Sequence, residues 1–230
     1  MKLKNSSVLI VAAHPDDEVL GCGGTIKKLT KSGNKVNIIF ISDGVSSRKM
    51  SKKNYLVELK QRKESCIKAC KILGAKRPIF YDLPDNALDT VPILKIVKLI
   101  GLNIKKFKPK LILTHCPDDL NIDHHITNKA VITACRPLKN NSVKTLLFFE
   151  IASSTEWQIV NKRKSFSPNW FENIDSELKF KIKALKAYKK ELRKWPHPRS
   201  SKGVEVLAQW RGSSSGFKAA EAFILGRNLK

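Results

Sequence analysis

The stretch Val8-Leu9-Ile10-Val11-Ala12-Ala13-His14-Pro15-Asp16-Asp17-Glu18 decides the reading of this chain. Its first six residues are all apolar, which is how a strand buried on both faces reads, and such strands belong to parallel sheets covered by helices. Proline and acids end the run. Residues 19–29 follow as a helix, with Gly33 and Asn34 as its stop. The same alternation repeats along the chain. Residues 36–41, 79–83, 111–114 and 146–150 read as strands, and residues 55–73, 91–107 and 123–135 as the helices between them. Gly74 closes the second helix and Pro109 marks the exit of the third. The rhythm predicts an α/β fold built on a doubly wound, mostly parallel sheet. After residue 150 the character changes to an aromatic-rich stretch (155–174), a Lys-rich helix (176–194) and a Pro/Gly/Ser-punctuated tail ending in a helical 217–225. There is no internal repeat. Residues 1–230 read as one domain whose C-terminal part folds over the sheet.

Composition excludes several classes. With 42% hydrophobic and 28% charged residues over 230 positions, disorder, collagen-like repeats and coiled coil are ruled out as the main state. Lys+Arg at 44 against Asp+Glu at 20 leaves a formal charge of +24. Such a balance raises nucleic acid, an anionic membrane or an anionic substrate. Lysine supplies most of the charge and is scattered throughout, so a solvated surface is favoured and nucleic acid disfavoured. Five cysteines without a CxxC pair fit a reducing, cytoplasmic compartment, with Cys66 and Cys70 as small buried residues of a helix. The apolar run near the N-terminus is short and ends in acids, so it reads as a strand and not a signal peptide. No stretch approaches the length of a membrane span, which predicts a soluble protein.

The chemistry lies in two segments. Acids are scarce, yet Asp16, Asp17, Glu18, Asp118, Asp119 and Asp123 cluster with four of the five histidines, His14, His115, His124 and His125. One segment follows the first strand and the other the fourth. In a doubly wound sheet these strands are neighbours, and ligands bind beyond their carboxyl ends at the switch point. Two His and an Asp converging there with an open position have the composition of a catalytic zinc site, and a further carboxylate can serve as general base.

AHPDDE after the first strand and DLNIDHH after the fourth resemble the PIG-L/LmbE family of zinc-dependent de-N-acetylases, and the resemblance extends through GCGGTI, the PDN loop, PHPRS and AEAF. It implies a Rossmann-like fold whose C-terminal extension covers the active-site crevice, and removal of acetyl groups from N-acetylglucosamine-type substrates. By position, His14, Asp17 and His124 look like zinc ligands, Asp16 like the general base, and Asp123 like its carboxylate partner motif. Many members carry a histidine where this chain has Asn121, which can donate a hydrogen bond but not a proton. His197 is the candidate replacement, with His125 and His115 behind it.

Further candidates surround these. Arg199 and Arg211 suit a substrate anion, because arginine binds phosphate and carboxylate bidentately. Asp43 and Asp82, at strand ends, suit sugar hydroxyls or turn capping. Gly21, Gly23 and Gly24 lack phosphate-loop spacing and read as close helix–strand packing. Trp157, Trp170, Trp195 and Trp210 read mainly as core or interface residues, with one or two available to stack on a sugar. The expected partner is a small aminosugar substrate, possibly anionic, with self-association left open. The competing readings are a zinc amidase of a thiol conjugate or other acyl amide, and a basic nucleic-acid-binding protein.

Overall fold

The computed structural model describes residues 3–139, 141–159 and 166–229. Seven strands form one sheet in the order β3-β2-β1-β4-β5-β7-β6. They are β1 (Ser7–Ala12), β2 (Lys35–Ser42), β3 (Ile79–Leu83), β4 (Leu111–His115), β5 (Thr145–Phe149), β6 (Trp170–Asn173) and β7 (Ala220–Asn228). The helices are α1 (Asp17–Lys31), α2 (Lys52–Leu73), α3 (Ile93–Phe107), α4 (Ile122–Ala134), α5 (Leu178–Leu185) and α6 (Ser201–Ser213). Strands β3, β2, β1, β4 and β5 run parallel, while β7 is antiparallel to both β5 and β6.

The period of two along β1 divides the core. Val8, Ile10 and Ala12 pack with Ile26 of α1, Leu73 of α2 and Leu185 of α5 on one face. Leu9 and Val11 pack with Ile96 and Ile100 of α3 and Val131 of α4 on the other. Both layers are fully buried, which explains why β1 reads as a continuous apolar run rather than an alternating one. The chain order turns at β1 and β4, the expected switch point, and the loops leaving both strands meet there. No helix among the described residues is long and apolar enough to cross a membrane.

The C-terminal third departs from the expectation. Residues 217–225 were expected to be helical, but Ala220–Asn228 is the strand β7, inserted between β5 and β6. Alanine, glutamate and leucine favour helix locally, yet β5 presents an open row of backbone donors and acceptors that only a strand can satisfy. Strand β6 and helix α6 have no counterpart in the sequence reading; α6 begins at Ser200, whose Oγ accepts from the Gly203 amide. The Lys-rich helix shrinks to Leu178–Leu185, and the chain then turns so that Tyr188 is buried. The extension therefore completes the sheet as well as reaching the crevice. Trp157, Trp195 and Trp210 are all at least half exposed and not core residues.

The glycines of α1 do pack as expected. A Cβ on Gly21 would lie 2.4 Å from the Phe149 ring, and one on Gly24 would lie 2.8 Å from Ile174. Phe149 is fully buried in β5, so its ring cannot yield without moving the sheet. Gly21→Ala should therefore lower stability by about 1–3 kcal/mol, the range for overpacking a filled core. A thermal unfolding midpoint unchanged within a degree would contradict this.

Candidate metal centre and crevice

The turn His14–Asp17 follows β1, and the loop after β4 leads into α4. Both put their polar side chains into the space beyond the sheet. Asp17, in the first turn of α1, accepts the His14 backbone amide at Oδ2 (2.8 Å). The same oxygen lies 3.4 Å from His14 Nδ1 and 3.4 Å from His124 Nε2. One nitrogen of each imidazole thus faces Asp17, and the other faces a carboxylate. His14 Nε2 lies 2.9 Å from Asp123 Oδ2 and 3.2 Å from Asp85 Oδ1, and His124 Nδ1 lies 3.0 Å from Asp119 Oδ1. Carboxylates behind imidazoles fix the tautomer and aim the free nitrogen forward, as they do around metal ions.

The residues fit a metal ion. The candidate ligand atoms of His14, Asp17 and His124 lie within 4.8 Å of one another, and all three residues are buried. Asp17 Oδ1 and His124 Nε2 are buried without a hydrogen-bond partner. Two imidazoles and one carboxylate form a donor set that suits zinc.

Asp16 stands beside this group with a different environment. Its φ of 132° is one that side-chain-bearing residues rarely adopt, a strain of about 1–3 kcal/mol that the surroundings must hold. Its amide donates to Glu18 Oε2 (3.0 Å), while the Tyr188 hydroxyl donates to Glu18 Oε1 (2.5 Å). Asp16 Oδ2 is buried with no hydrogen bond, 3.8 Å from Arg62 Nη1 and 3.9 Å from Arg199 Nη1. Burial pushes the Asp16 carboxyl up to about 6, against the pull of the two guanidiniums. Glu18 is pushed further, to about 8, by its burial.

Charge is balanced within the cluster. Burial opposes ionisation of Asp17, but the neighbouring His124 and His115 imidazoles outweigh it and hold that carboxyl well below its usual range. Burial likewise disfavours a charged His124, yet Asp17 and Asp119 push it up to about 9. His115 is held well below its usual value by burial and by His124. Its Nε2 accepts the Ala13 amide (2.8 Å), and its ring stacks on His124 at 3.9 Å. It supports His124 from beneath and does not face the crevice.

The crevice above holds about 190 Å³ and is lined by His14, Asp16, Asp85, Asn86, Asn121 and Glu191 together with Arg48, Arg62, Arg193 and Arg199. Several expected residues lie elsewhere. Arg211 forms a bidentate pair with Glu150 (2.8 and 2.7 Å) and does not line the crevice, so the anion role assigned to it is corrected. Asp43 accepts the Val45 and Ser46 amides and the Tyr55 hydroxyl, which is turn capping and not sugar binding. Asp82 pairs with Lys63 (2.5 Å). His125 is engaged by the Asp119 carbonyl. His197 accepts the Arg199 amide at Nδ1 and meets Trp157 edge-on, outside the residues lining the crevice, so the geometry does not make it the stand-in acid. Asn121 does line it, but its Oδ1 caps α4 and its Nδ2 donates to Asn86.

Asp123 works indirectly. Its carboxylate accepts the Asn86 (2.8 Å) and Leu88 (2.9 Å) amides while holding His14, which ties the loop after β3 to the site. The sequence reading missed Asp85, Arg48, Arg62 and Glu191. Arg62 carried a signal: an arginine one turn before Cys66 on the buried face of a lysine-rich helix, 2.5 Å from Glu191.

Residues 9–135 match the family model described as PIG-L, GlcNAc-PI de-N-acetylase. The chain is 27% identical over 232 residues to a diacetylchitobiose deacetylase of Thermococcus kodakarensis, covering 93% of this chain and 80% of that one. It is 28% identical over 146 residues to a 4-oxalmesaconate hydratase of Pseudomonas putida, covering 58% and 55% of the two chains. The fold is shared with N,N'-diacetylchitobiose deacetylase from Pyrococcus horikoshii, at a TM-score of 0.78 and 20% identity over 96% of this chain and 84% of that one.

Removing the Asp123 carboxylate strands two amides and frees the His14 ring. Asp123→Ala should cost about 2–6 kcal/mol, since each donor left unpaired costs about 1–3 kcal/mol. Denaturant unfolding measures it, and a loss below about 1 kcal/mol would show that water replaces the carboxylate.

Proposed function

The chain belongs to the PIG-L family, and on that premise we propose that it is a zinc-dependent hydrolase removing the N-acetyl group of an aminosugar-containing substrate. The observation that carries this reading is the convergence of His14, Asp17 and His124 beside the unpartnered carboxylate of Asp16. Those three residues would hold Zn2+, which when bound polarises the acetamide carbonyl and makes a neighbouring water acidic enough to attack it.

The remaining work falls to the chain's own side chains. Asp16 accepts the water proton at its free oxygen and returns it to the amine nitrogen as the C–N bond breaks. Its positive-φ backbone turns the carboxylate away from the helix that it precedes and leaves it uncapped. Arg62 and Arg199 favour its anionic form without bonding tightly enough to block it. Asp123 and Asp119 keep the two imidazoles aimed. The arginines lining the crevice suit a substrate with a negative group. Residues 1–230 act as one domain in this reading.

The hydratase relative makes a second reaction worth testing. Hydration of a carbon–carbon double bond releases no acetate, so acetate release from N-acetylglucosamine derivatives separates the two. No release from any N-acetylated sugar by zinc-loaded protein would overturn the deacetylase reading.

Two variants separate the roles of adjacent acids. Asp16→Asn should keep zinc through dialysis and lower kcat by about 10²–10⁴, the usual size for a general base. Asp17→Ala should lose zinc. Equal metal loss in both would show that the assignment is wrong.

The pH profile gives an independent check. Asp16 must be deprotonated to accept a proton, so kcat/KM should rise with pH across an acid limb. A bound dication further favours the anion, which places the limb at or below about 6. Arg199→Ala removes a stabilising positive charge and should move that limb upward. A downward move would exclude Asp16 as its source.

A further inference from the structure

The deacetylase reading leaves one buried acid without a use. Glu18 is fully buried, and its oxygens receive only the Asp16 amide and the Tyr188 hydroxyl. Among the described residues no basic side chain pairs with it, whereas buried carboxylates are as a rule paired or bound to a metal. Beside it α2 presents Cys66 and Cys70, one helical turn apart and both buried, with their sulfurs 4.0 Å from each other. The candidate ligand atoms of Glu18, Cys66 and Cys70 lie within 4.8 Å of one another. We propose that these three residues form a second metal site, taking zinc in a structural role, separate from the centre of His14, Asp17 and His124.

The sulfur geometry suits an ion and not a disulfide. Two thiolates on one tetrahedral zinc, each at about 2.3 Å, stand about 3.8 Å apart. The observed 4.0 Å needs only a small adjustment. A disulfide would have to draw the two Cβ atoms to about 3.5–4.5 Å, while positions i and i+4 of a helix hold them about 5–6 Å apart. Core packing accounts for two thiols in contact, but not for a carboxylate brought against them from α1. Tyr188 closes the remaining side, its hydroxyl donating to Glu18 Oε1 (2.5 Å). Burial pushes the Cys66 thiol up, and a hydrogen bond from Tyr188 opposes that rise. Zinc replaces both thiol protons, which leave to solvent, and is held by two thiolates and one carboxylate. The complex carries one net negative charge, and Arg62 stands one turn before Cys66 on the same buried face.

A metal site also needs a way in. A groove of about 330 Å³ between α2 and the segment after α5 is lined by Gln61, Arg62, Ser65, Lys68, Tyr188 and Glu191. Tyr188 borders both this groove and the cluster, so the cluster lies one side chain from solvent. The ion ties together elements that are far apart in the chain: the start of α1 through Glu18 and the middle of α2 through the cysteines. Glu18 Oε2 also holds the Asp16 amide (3.0 Å). The site therefore braces, from behind, the positive-φ backbone that turns the Asp16 carboxylate toward the crevice.

Cobalt reports sulfur ligation directly. Metal-free, reduced wild-type protein titrated with Co2+ should develop a sulfur-to-cobalt charge-transfer band in the near ultraviolet. His14, Asp17 and His124 contain no sulfur, so filling that centre cannot produce the band. The double variant Cys66→Ala/Cys70→Ala, checked for folding by circular dichroism, should lose the band and retain one zinc ion fewer per chain after dialysis. Zinc-edge X-ray absorption of the zinc-loaded wild-type protein reads the ligands without any variant and should show sulfur at about 2.3 Å. Wild-type protein with neither the band nor a sulfur neighbour would show that Glu18 and the two thiols are only packed core, and the site would be wrong. A band that survives in the double variant overturns the inference as well, because it would belong to Cys22, Cys116 or Cys135.

Discussion

One carboxylate oxygen, Oδ2 of Asp17, joins the two halves of the sheet. It receives the His14 amide from the end of β1 and stands within 3.5 Å of His14, His115 and His124, the last two contributed by β4 and α4. The parallel β1–β4 pairing brings those strand ends side by side, but pairing alone aligns only backbones. The acid at the start of α1 turns that adjacency into a cluster in which each imidazole has one assigned direction. The helix start itself favours a negative charge there. Without an anion at this position, burial would oppose protonation of these histidines with no negative charge at their centre to offset it.

Much of this was legible because it is local and periodic. The run from Val8 to Ala13, the stops at Gly33 and Gly74, and the two acid–histidine segments each follow from spacing and residue type. The strand 79–83 was read to the residue. The neighbouring ends of β1 and β4 followed from the topology that such strands adopt. What escaped was whatever depends on a partner far along the chain. Ala220–Asn228 has the composition of a helix and is a strand only because β5 offers an edge. Arg211 looked like a ligand for an anion until Glu150, sixty-one residues away, was seen to occupy it.

The site was legible in its floor and not in its walls. His14, Asp16, Asp17, Asp123 and His124 all fall together, the set that the family resemblance implied. Asp85 lies in the PDN loop but carried no assigned role, and Arg48, Arg62 and Glu191 come from three other segments in which nothing nearby distinguishes them from surface charge. Only Arg62 stood out in retrospect, because burying a guanidinium without a carboxylate such as Glu191 would cost several kcal/mol per ion, on the order seen for unpaired buried charge. Asp43 illustrates the opposite error. A carboxylate at a strand end in an α/β sheet invites a ligand role, yet its two oxygens already answer to its own turn and to Tyr55.

The insertion of β7 between β5 and β6 has a consequence for how the molecule matures during synthesis. A nascent chain that has emerged through residue 150 already contains His14, Asp17 and His124, the five parallel strands and the helices between them. It lacks Glu191, Arg193 and Arg199, and β5 is a bare edge with unpaired donors and acceptors. Glu221, which accepts the Gly24 and Thr25 amides and pairs with Lys181, also arrives only with the last tenth of the chain. For that interval the ribosome-bound intermediate is adhesive at one edge and open at its crevice. Contacts of such long sequence separation form slowly, so β7 sets the pace at which the bare edge of β5 is covered.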